Sequence, residues 1–600
     1  MWKRGDGAPY FTVRARLWWA EMTVEPGRII GAVLAVILGY LVLAPVYAVV
    51  SNALRLTRMD AVRARAAPGD LTFAYLDRVL FSGVSRDIFW TPLFNTLTVA
   101  VFATALAVVF GLTLAALVTS TDIAGRRFLS FLLIIPYMLP SQAMATAWMT
   151  LFKNRRIGGA PGMLEAMGFS PPDWLAYGPI PIVICLALSY FPFAFLLFSN
   201  AMNKIDTQLE EAAVVLGASA GTVWRRILFP LLIPTTMSVL LLTGARTLGT
   251  FATPYVLGSP VRYTVISTSL YSSLRSGASG VAAVLAIFLA LFGIILLLMD
   301  LYMVRNWQRF VTVGGKGGRR EAAPLGWTRG PATLLAWGFF FIAACCPLLI
   351  MALSTFMRTP GVFTLENFNL DYWLGTDKLP GVFTSPEILS SLFNSLAISG
   401  SAAVLCGTLG MMIGYAVVKL QGHWLSGYLR QVSFLPYLMP GMAFAAAFLS
   451  LFAVRRGPIP ALYGSISLLV LVMVVTYLPY ASRSGIAAMM QVGREPEEAG
   501  MVLGAGFVQR IAKILAPLQK TALVTAIILP FISGMKELSL VIMLVTPGTE
   551  LLTTQSLRFL DYGFTQLANA TILIIGLVVM VLVLALQRLT RSNLASGLGG

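Results

Sequence analysis

The sequence predicts an all-α integral membrane protein with about twelve transmembrane helices in two tandem parallel repeats. Of its 600 residues, 58% are hydrophobic and only 11% are charged, whereas soluble chains carry about a quarter charged residues. A polar stretch between two apolar runs also occurs twice with the same internal spacing, once around Glu211 and once around Glu498. Composition therefore predicts the membrane, and the duplicated stretch predicts the repeat.

Twelve apolar runs are long enough to cross a bilayer, which takes about 20 residues. Because lipid offers the backbone no hydrogen-bond partners, each run is expected to be a helix. The expected spans are 29–51, 94–119, 129–152, 179–200, 229–256, 280–304, 331–355, 392–419, 431–454, 464–487, 519–546 and 568–588.

Further segments recur in the same order in both halves. They are 94–97 with 393–396, 136–140 with 436–440, and 189–192 with 476–479. An axis along the membrane normal is expected to relate the halves. The predicted division is an N-terminal cytoplasmic tail 1–28, a first half 29–304, a flexible cytoplasmic linker 305–330, a second half 331–590 and a C-terminal tail 591–600.

The net charge of +18 is spread over many short loops. Cytoplasmic loops of membrane proteins are rich in Lys and Arg, which explains the charge better than nucleic-acid binding does. The rule favours cytoplasmic termini and places both repeated stretches in the cytoplasm. The loop 52–93 is the exception, since it would be external and yet holds six arginines.

The repeated stretches, here called the first loop (205–228) and the second loop (492–519), are each expected to form a short helix ended by glycine. Thr207 with Glu210 fits a capping box at the first helix, and Pro496 suits the first turn of the second. Gly217 and Gly504 are expected to end the two helices. The candidate contact residues are Glu210, Glu211, Ala212, Ala213, Gly217, Glu497, Glu498, Ala499, Gly500 and Gly504.

The pattern Glu-Ala-Ala, three residues, Gly, nine residues, Ile-x-Leu-Pro resembles the signature of permease subunits of ATP-binding-cassette importers. Phe229, Gly500 and Ala516 depart from it. The resemblance covers nearly the whole chain as two fused permease halves, and is closest to the iron(III), thiamine and polyamine group. It implies a type I importer-like fold, two copies of a separate ATPase subunit that dock on the loops, and a periplasmic or extracellular solute-binding protein.

No enzymatic chemistry is expected of this chain. Phosphate-binding loops need a Ser or Thr after Gly-Lys, and the nearest candidate, Gly315-Lys316-Gly317, lacks it. ATP and magnesium are therefore expected on the partner ATPase, and no cofactor on this chain. The only histidine is His423, and the cysteines lie in apolar runs, so no catalytic group and no metal site is predicted.

Charges and prolines inside the spans are the candidates for a solute pathway. Arg246 in the fifth span aligns with Lys536 in the eleventh, next to Glu537. Ionisable groups at membrane depth usually face a cavity or each other, although a position near the outer interface remains the alternative. Two proline pairs, Pro136 with Pro140 and Pro436 with Pro440, are expected to break the third and ninth spans.

The transported solute is only weakly indicated by the sequence. Arg246, Lys536 and the arginines of 52–93 predict a positively charged vestibule, which suits an anionic or chelated solute. Iron(III) therefore ranks above organic phosphates or phosphonates, with polyamines last and thiamine as a further alternative. An ion-coupled secondary transporter with twelve spans is the rival class, and the duplicated loop argues against it.

Overall fold

The computed structural model describes residues 26–590 except 58–59, 63–64, 66, 308–322, 378, 456, 458–459 and 494. Most of both predicted tails and most of the predicted linker lie outside the described residues. Within them the chain is helical, with isolated β-bridges and no named strand.

The first half contains sixteen α-helices in chain order. They are α1 (Gly27–Leu54), α2 (Ala74–Leu80), α3 (Thr91–Ser120), α4 (Arg126–Leu132), α5 (Ile135–Met138), α6 (Ser141–Phe152), α7 (Arg155–Gly158), α8 (Met163–Ala166), α9 (Asp173–Ala176), α10 (Pro179–Lys204), α11 (Gln208–Val215), α12 (Ala220–Val223), α13 (Phe229–Leu248), α14 (Ala252–Gly258), α15 (Ile266–Arg275) and α16 (Ser279–Trp307).

The described part of the second half repeats this order. Its helices are α17 (Arg329–Phe340), α18 (Cys346–Thr355), α19 (Asp371–Leu374), α20 (Pro386–Lys419), α21 (Trp424–Phe434), α22 (Gly441–Phe452), α23 (Ile466–Gln491), α24 (Glu495–Val502), α25 (Phe507–Arg510), α26 (Ala516–Leu518), α27 (Lys520–Met535), α28 (Leu552–Asp561) and α29 (Thr565–Thr590). Single π-helical turns join α12 to α13 (Trp224–Leu228), α17 to α18 (Phe341–Cys345) and α25 to α26 (Ile511–Leu515).

Nine described helical segments are long and apolar enough to cross a membrane, and three bent pairs raise the number to as many as twelve. The predicted all-α membrane fold is thereby confirmed. The third and ninth expected spans are bent by 90° and 108°. Both bends fall at the proline pairs, where Pro140 and Pro440 directly precede α6 and α22.

Two expected spans end earlier than predicted. The eleventh was expected over 519–546, but α27 ends at Met535 and turns follow. The reason is that the Glu537 carboxylate accepts the backbone N–H of Leu540 at 2.9 Å, and this bond replaces helical bonding. The fifth was expected to reach residue 256, but α13 stops at Leu248, followed by Gly249 against Pro440.

The two halves exchange their first spans. Helix α1 packs against α20, α21 and α22 of the second half as well as against α16. Helices α17 and α18 pack in turn against α3, α4 and α6 of the first half. The side chain of Asn569 donates to Thr150 Oγ1 at 2.9 Å, which adds a buried hydrogen bond between the halves. Neither half therefore has a complete set of packing partners of its own.

Each half is built on one close helix pair, α3 with α10 and α20 with α23. Glycines permit the close approach, which small residues commonly provide in membrane proteins. A Cβ atom at Gly111 would lie 2.5 Å from the Ala194 methyl, and one at Gly410 would lie 2.5 Å from the carbonyl carbon of Ala481. These pairs hold the walls of the central cavity described next.

Candidate functional site

A cavity of about 170 Å³ lies between the two halves. Both bent spans contribute to its wall, as do α10, α13 and α23 and the turn after α27. Six of the seven predicted pathway residues line it: Arg246, Lys536, Glu537, Pro136, Pro436 and Pro440. Pro140 does not line the cavity, but its neighbours Leu139 and Ser141 do.

The two cations of the cavity lie on tyrosines of the opposite half. Lys536 Nζ is 3.6 Å from the centroid of the Tyr137 ring and donates to the Tyr137 carbonyl. The Arg246 guanidinium is 4.9 Å from the centroid of Tyr437 and also bonds the Tyr480 hydroxyl. Such cation–π contacts are strongest where water is excluded. They cross the boundary between the halves in both directions.

Glu537 is held rigidly by neighbouring groups. The Tyr477 hydroxyl donates to its carboxylate at 2.6 Å, and the Leu540 N–H donates to the other oxygen at 2.9 Å. The Thr553 hydroxyl donates to its backbone carbonyl at 2.7 Å. The turn 536–540 is therefore shaped by this one side chain, which also places a negative charge beside the two cations.

The sequence interpretation missed the tyrosines. Tyr137, Tyr190, Tyr437, Tyr477 and Tyr480 all line the cavity. A signal was present, because four of them occur in the two repeated segments that contain the prolines, 136–140 with 436–440 and 189–192 with 476–479. Attention to the prolines hid the recurring aromatic residue.

The arginines of 52–93 do not share this cavity, contrary to the predicted common vestibule. None of the cavity-lining residues comes from that loop. Arg55 instead lies at a separate surface pocket with Asn52 and Ser279. The reason is that the wall is supplied by the helix pairs and the bent spans, and these leave the loop outside it. The charge of the cavity is set by Arg246, Lys536 and Glu537 alone.

The cavity offers no arrangement typical of catalysis or of metal binding by His, Cys and carboxylate. Among the described residues no group of three or more such side chains comes together. Cys185 and Cys406 are buried, and Cys345 and Cys346 are half-buried thiols. The site is a polar, aromatic-lined chamber with cationic excess.

The first and second loops have matching backbones. Gly217 and Gly504 adopt φ of +82° and +80°, the left-handed conformation that glycine adopts without strain. After each glycine, an alanine N–H bonds back five residues at 2.9 Å, from Ala218 to Ala213 and from Ala505 to Gly500. These bonds are the Schellman type of helix end.

One detail of the first loop differs from the prediction. Thr207 makes no capping hydrogen bond, because its own backbone is already helical. Asp206 takes that position instead and accepts the backbone N–H of Gln208 at 3.0 Å. In the second loop α24 begins at Glu495, so Pro496 lies in its first turn, where it was expected.

Both loops expose apolar side chains at equivalent positions. Val215 and Leu216 are 86% and 87% exposed, and Val502 and Leu503 are 88% and 85% exposed. Their neighbours Glu211 and Glu498 are exposed as well. Exposed apolar groups ringed by polar residues mark contact surfaces. The chain therefore presents two alike surfaces, one on each half.

Two helical repeats around a polar chamber, with a matched pair of exposed loops, define a membrane transport component built from two fused halves. The model of the binding-protein-dependent transport system inner membrane component matches residues 107–309 and 406–594. These matches cover more than half of the chain, which belongs to this family. It is accordingly a multi-pass inner membrane protein.

Two similar proteins span most of its length. The ferric transport system permease protein FbpB of Actinobacillus pleuropneumoniae is 27% identical over 516 residues, covering 84% of this chain and 72% of the relative. The Fe(3+)-transport system permease protein FbpB 2 of Haemophilus influenzae is 24% identical over 456 residues, covering 75% and 80%.

Proposed function

We propose that this chain is the permease of an ATP-driven importer that moves iron(III), or an anionic iron(III) complex, delivered by an external binding protein. The observation that carries the importer assignment is the pair of loops with the same glycine-ended backbone and the same exposed Val-Leu tip. Two equal surfaces on one chain fit two copies of one partner subunit. The names of the two relatives support iron as the solute.

The partner is an ATPase that holds ATP and magnesium itself. One subunit docks on the first loop and one on the second, and their closure moves the spans. Docking requires both loops to face the cytoplasm, and an even number of spans then places both termini there. Glu210, Glu211, Ala212 and Ala213 in the first loop, and Glu497, Glu498, Ala499 and Gly500 in the second, form the coupling segments with the two glycines.

The chemistry of the cavity supports a small anionic solute. Two cations and one carboxylate leave one positive charge in excess. A cavity of about 170 Å³ is smaller than the ~300–1,000 Å³ of pockets that enclose drug-sized ligands. In this conformation thiamine and polyamines fit poorly by size, and polyamines also by charge. Iron(III) with a small anion therefore ranks first and an organic phosphate or phosphonate second.

The test is uptake by vesicles that contain the whole assembly of permease, ATPase and binding protein. Labelled iron(III), a phosphonate, thiamine and putrescine are compared with and without ATP. We expect ATP-dependent iron uptake that exceeds the other three. Polyamine uptake without iron uptake would overturn the solute, and uptake driven by an ion gradient without ATP would favour a secondary transporter.

A further inference from the structure

A buried ion cluster fastens the second loop to the membrane helices. Glu497, in α24, is 3% exposed. Its carboxylate lies 2.8 Å from Lys419 Nζ and 3.6 Å from Arg510 Nε, and it accepts the Tyr415 hydroxyl at 2.9 Å. Arg510 is itself 2% exposed.

The burial makes this contact specific. An ionised carboxylate without partners is costly away from water, so each conformation of the second loop must keep Glu497 paired or expose it. Here two cations and a phenol surround the carboxylate. Moving α24 away from Tyr415 and Lys419 would break the cluster, so the loop and the end of α20 are expected to move together.

Helix α20 leads from this cluster to the cavity. Tyr415 and Lys419 lie in its last turns. One turn earlier, Gly410 and Gly414 touch the backbone of α23 at Ala481 and Gly485. The residue before Ala481 is Tyr480, whose hydroxyl bonds Arg246 in the cavity. A displacement of α24 is thus joined by tight packing to a cavity-lining tyrosine.

The first half lacks the residues for such a cluster. With the segments 94–97 and 393–396 aligned, Ala116 and Ser120 stand where the second half has Tyr415 and Lys419. With the two loops aligned, Val223 stands where the second has Arg510. Glu210 is the counterpart of Glu497, and it is half-buried instead of enclosed. The glycine packing, however, is present in both halves.

We propose that Glu497 is a positioning residue that makes the two loops mechanically unequal. The second loop transmits ATPase movement directly through α20 to the cavity, whereas the first loop contacts its ATPase without this fastening. The inference rests on the proposed importer function and adds to it an assignment of which loop does most of the transmission.

The test compares three single carboxylate-to-amide changes in the complete reconstituted assembly: Glu497→Gln, Glu210→Gln and Glu495→Gln. Glu495 lies in the same helix and is exposed, so its variant is the matched control for loss of charge. Iron uptake, ATP hydrolysis and membrane level are measured on the same preparations. The ratio of solute moved to ATP hydrolysed is the readout that a merely structural role would leave unchanged.

We expect Glu497→Gln to lower that ratio by about fivefold or more, the lower range of typical coupling between sites. Glu495→Gln should match the parent, and Glu210→Gln should lose less than Glu497→Gln. Tyr415→Phe keeps the ring and removes one donor to the carboxylate, so it should lower the ratio in the same direction. It also supplies the answer if Glu497→Gln accumulates poorly.

The outcomes separate the two proposals. An unsubstituted assembly that shows no ATP-dependent uptake of any solute tested contradicts the proposed function. ATP-dependent uptake with equal ratios for the Glu497 and Glu210 variants, or with an unchanged ratio in Tyr415→Phe, overturns the unequal-loop inference and leaves the importer function standing.

Discussion

Arg246 and Lys536 occupy matching positions in the two halves, and each lies on a tyrosine of the opposite half. The contacts resist separation of the bent spans, so they hold the cavity in the described conformation. A transport cycle that widens the cavity must break them. Their strength therefore sets part of the barrier to opening.

Replacing Tyr437 with Leu removes the ring beneath Arg246, a contact of about 2 kcal/mol or less. We expect the pathway to open more readily, seen as solute leak and faster ATP hydrolysis without binding protein. Tyr437→Phe retains the ring and is the control. Equal leak in the Leu and Phe variants would show that the ring contact does not hold the cavity closed.

Gly504 supplies the second residue-scale prediction. Nothing lies within 4 Å of where its Cβ would be, so a substitution there acts through the backbone alone. Gly504→Val should strain the left-handed turn by about 1–3 kcal/mol and lower ATPase-linked uptake at normal membrane level. Asn tolerates this conformation better, so Gly504→Asn should retain more uptake. Full uptake in Gly504→Val would contradict the role of the turn.

At the scale of elements, the helix pairs carry the stability of each half. A side chain at Gly410 would press on the backbone of Ala481, which cannot move aside as a flexible side chain can. Gly410→Val should therefore destabilise the protein by about 1–3 kcal/mol, measured as a lower unfolding temperature in detergent. Gly400 lies in the same helix with open space around it, and Gly400→Ala should not lower that temperature. Equal losses would mean that helix propensity decides the effect.

Sequence reasoning succeeded where the information is local. Apolar length gave the spans, proline gave the two bends, and glycine spacing gave the ends of α11 and α24. It failed where distant segments meet. The end of α27 depends on how Glu537 is bonded, and the burial of Glu497 depends on residues of α20. Such contacts have no periodicity that could reveal them.

For the whole molecule, the cavity between the halves predicts access that changes during the cycle. Ser189 and Ser539 both line it, and cysteine is a close substitute for serine in size. In a background with the four native cysteines replaced, Ser189→Cys and Ser539→Cys should react with hydrophilic thiol reagents at rates that depend on the nucleotide. Inert thiols in every nucleotide state would contradict a solute pathway here.

The exchange of first spans has a consequence for how the protein is made. Helix α1 leaves the ribosome early, yet its partners α20, α21 and α22 follow some hundreds of residues later. At ordinary synthesis rates that delay is roughly 20–80 s. During this time Gly31 and Gly39, whose places adjoin Leu420 and Tyr428 in the finished fold, face lipid or an insertion factor. Assembly of the first half is thus completed only after most of the second has been translated.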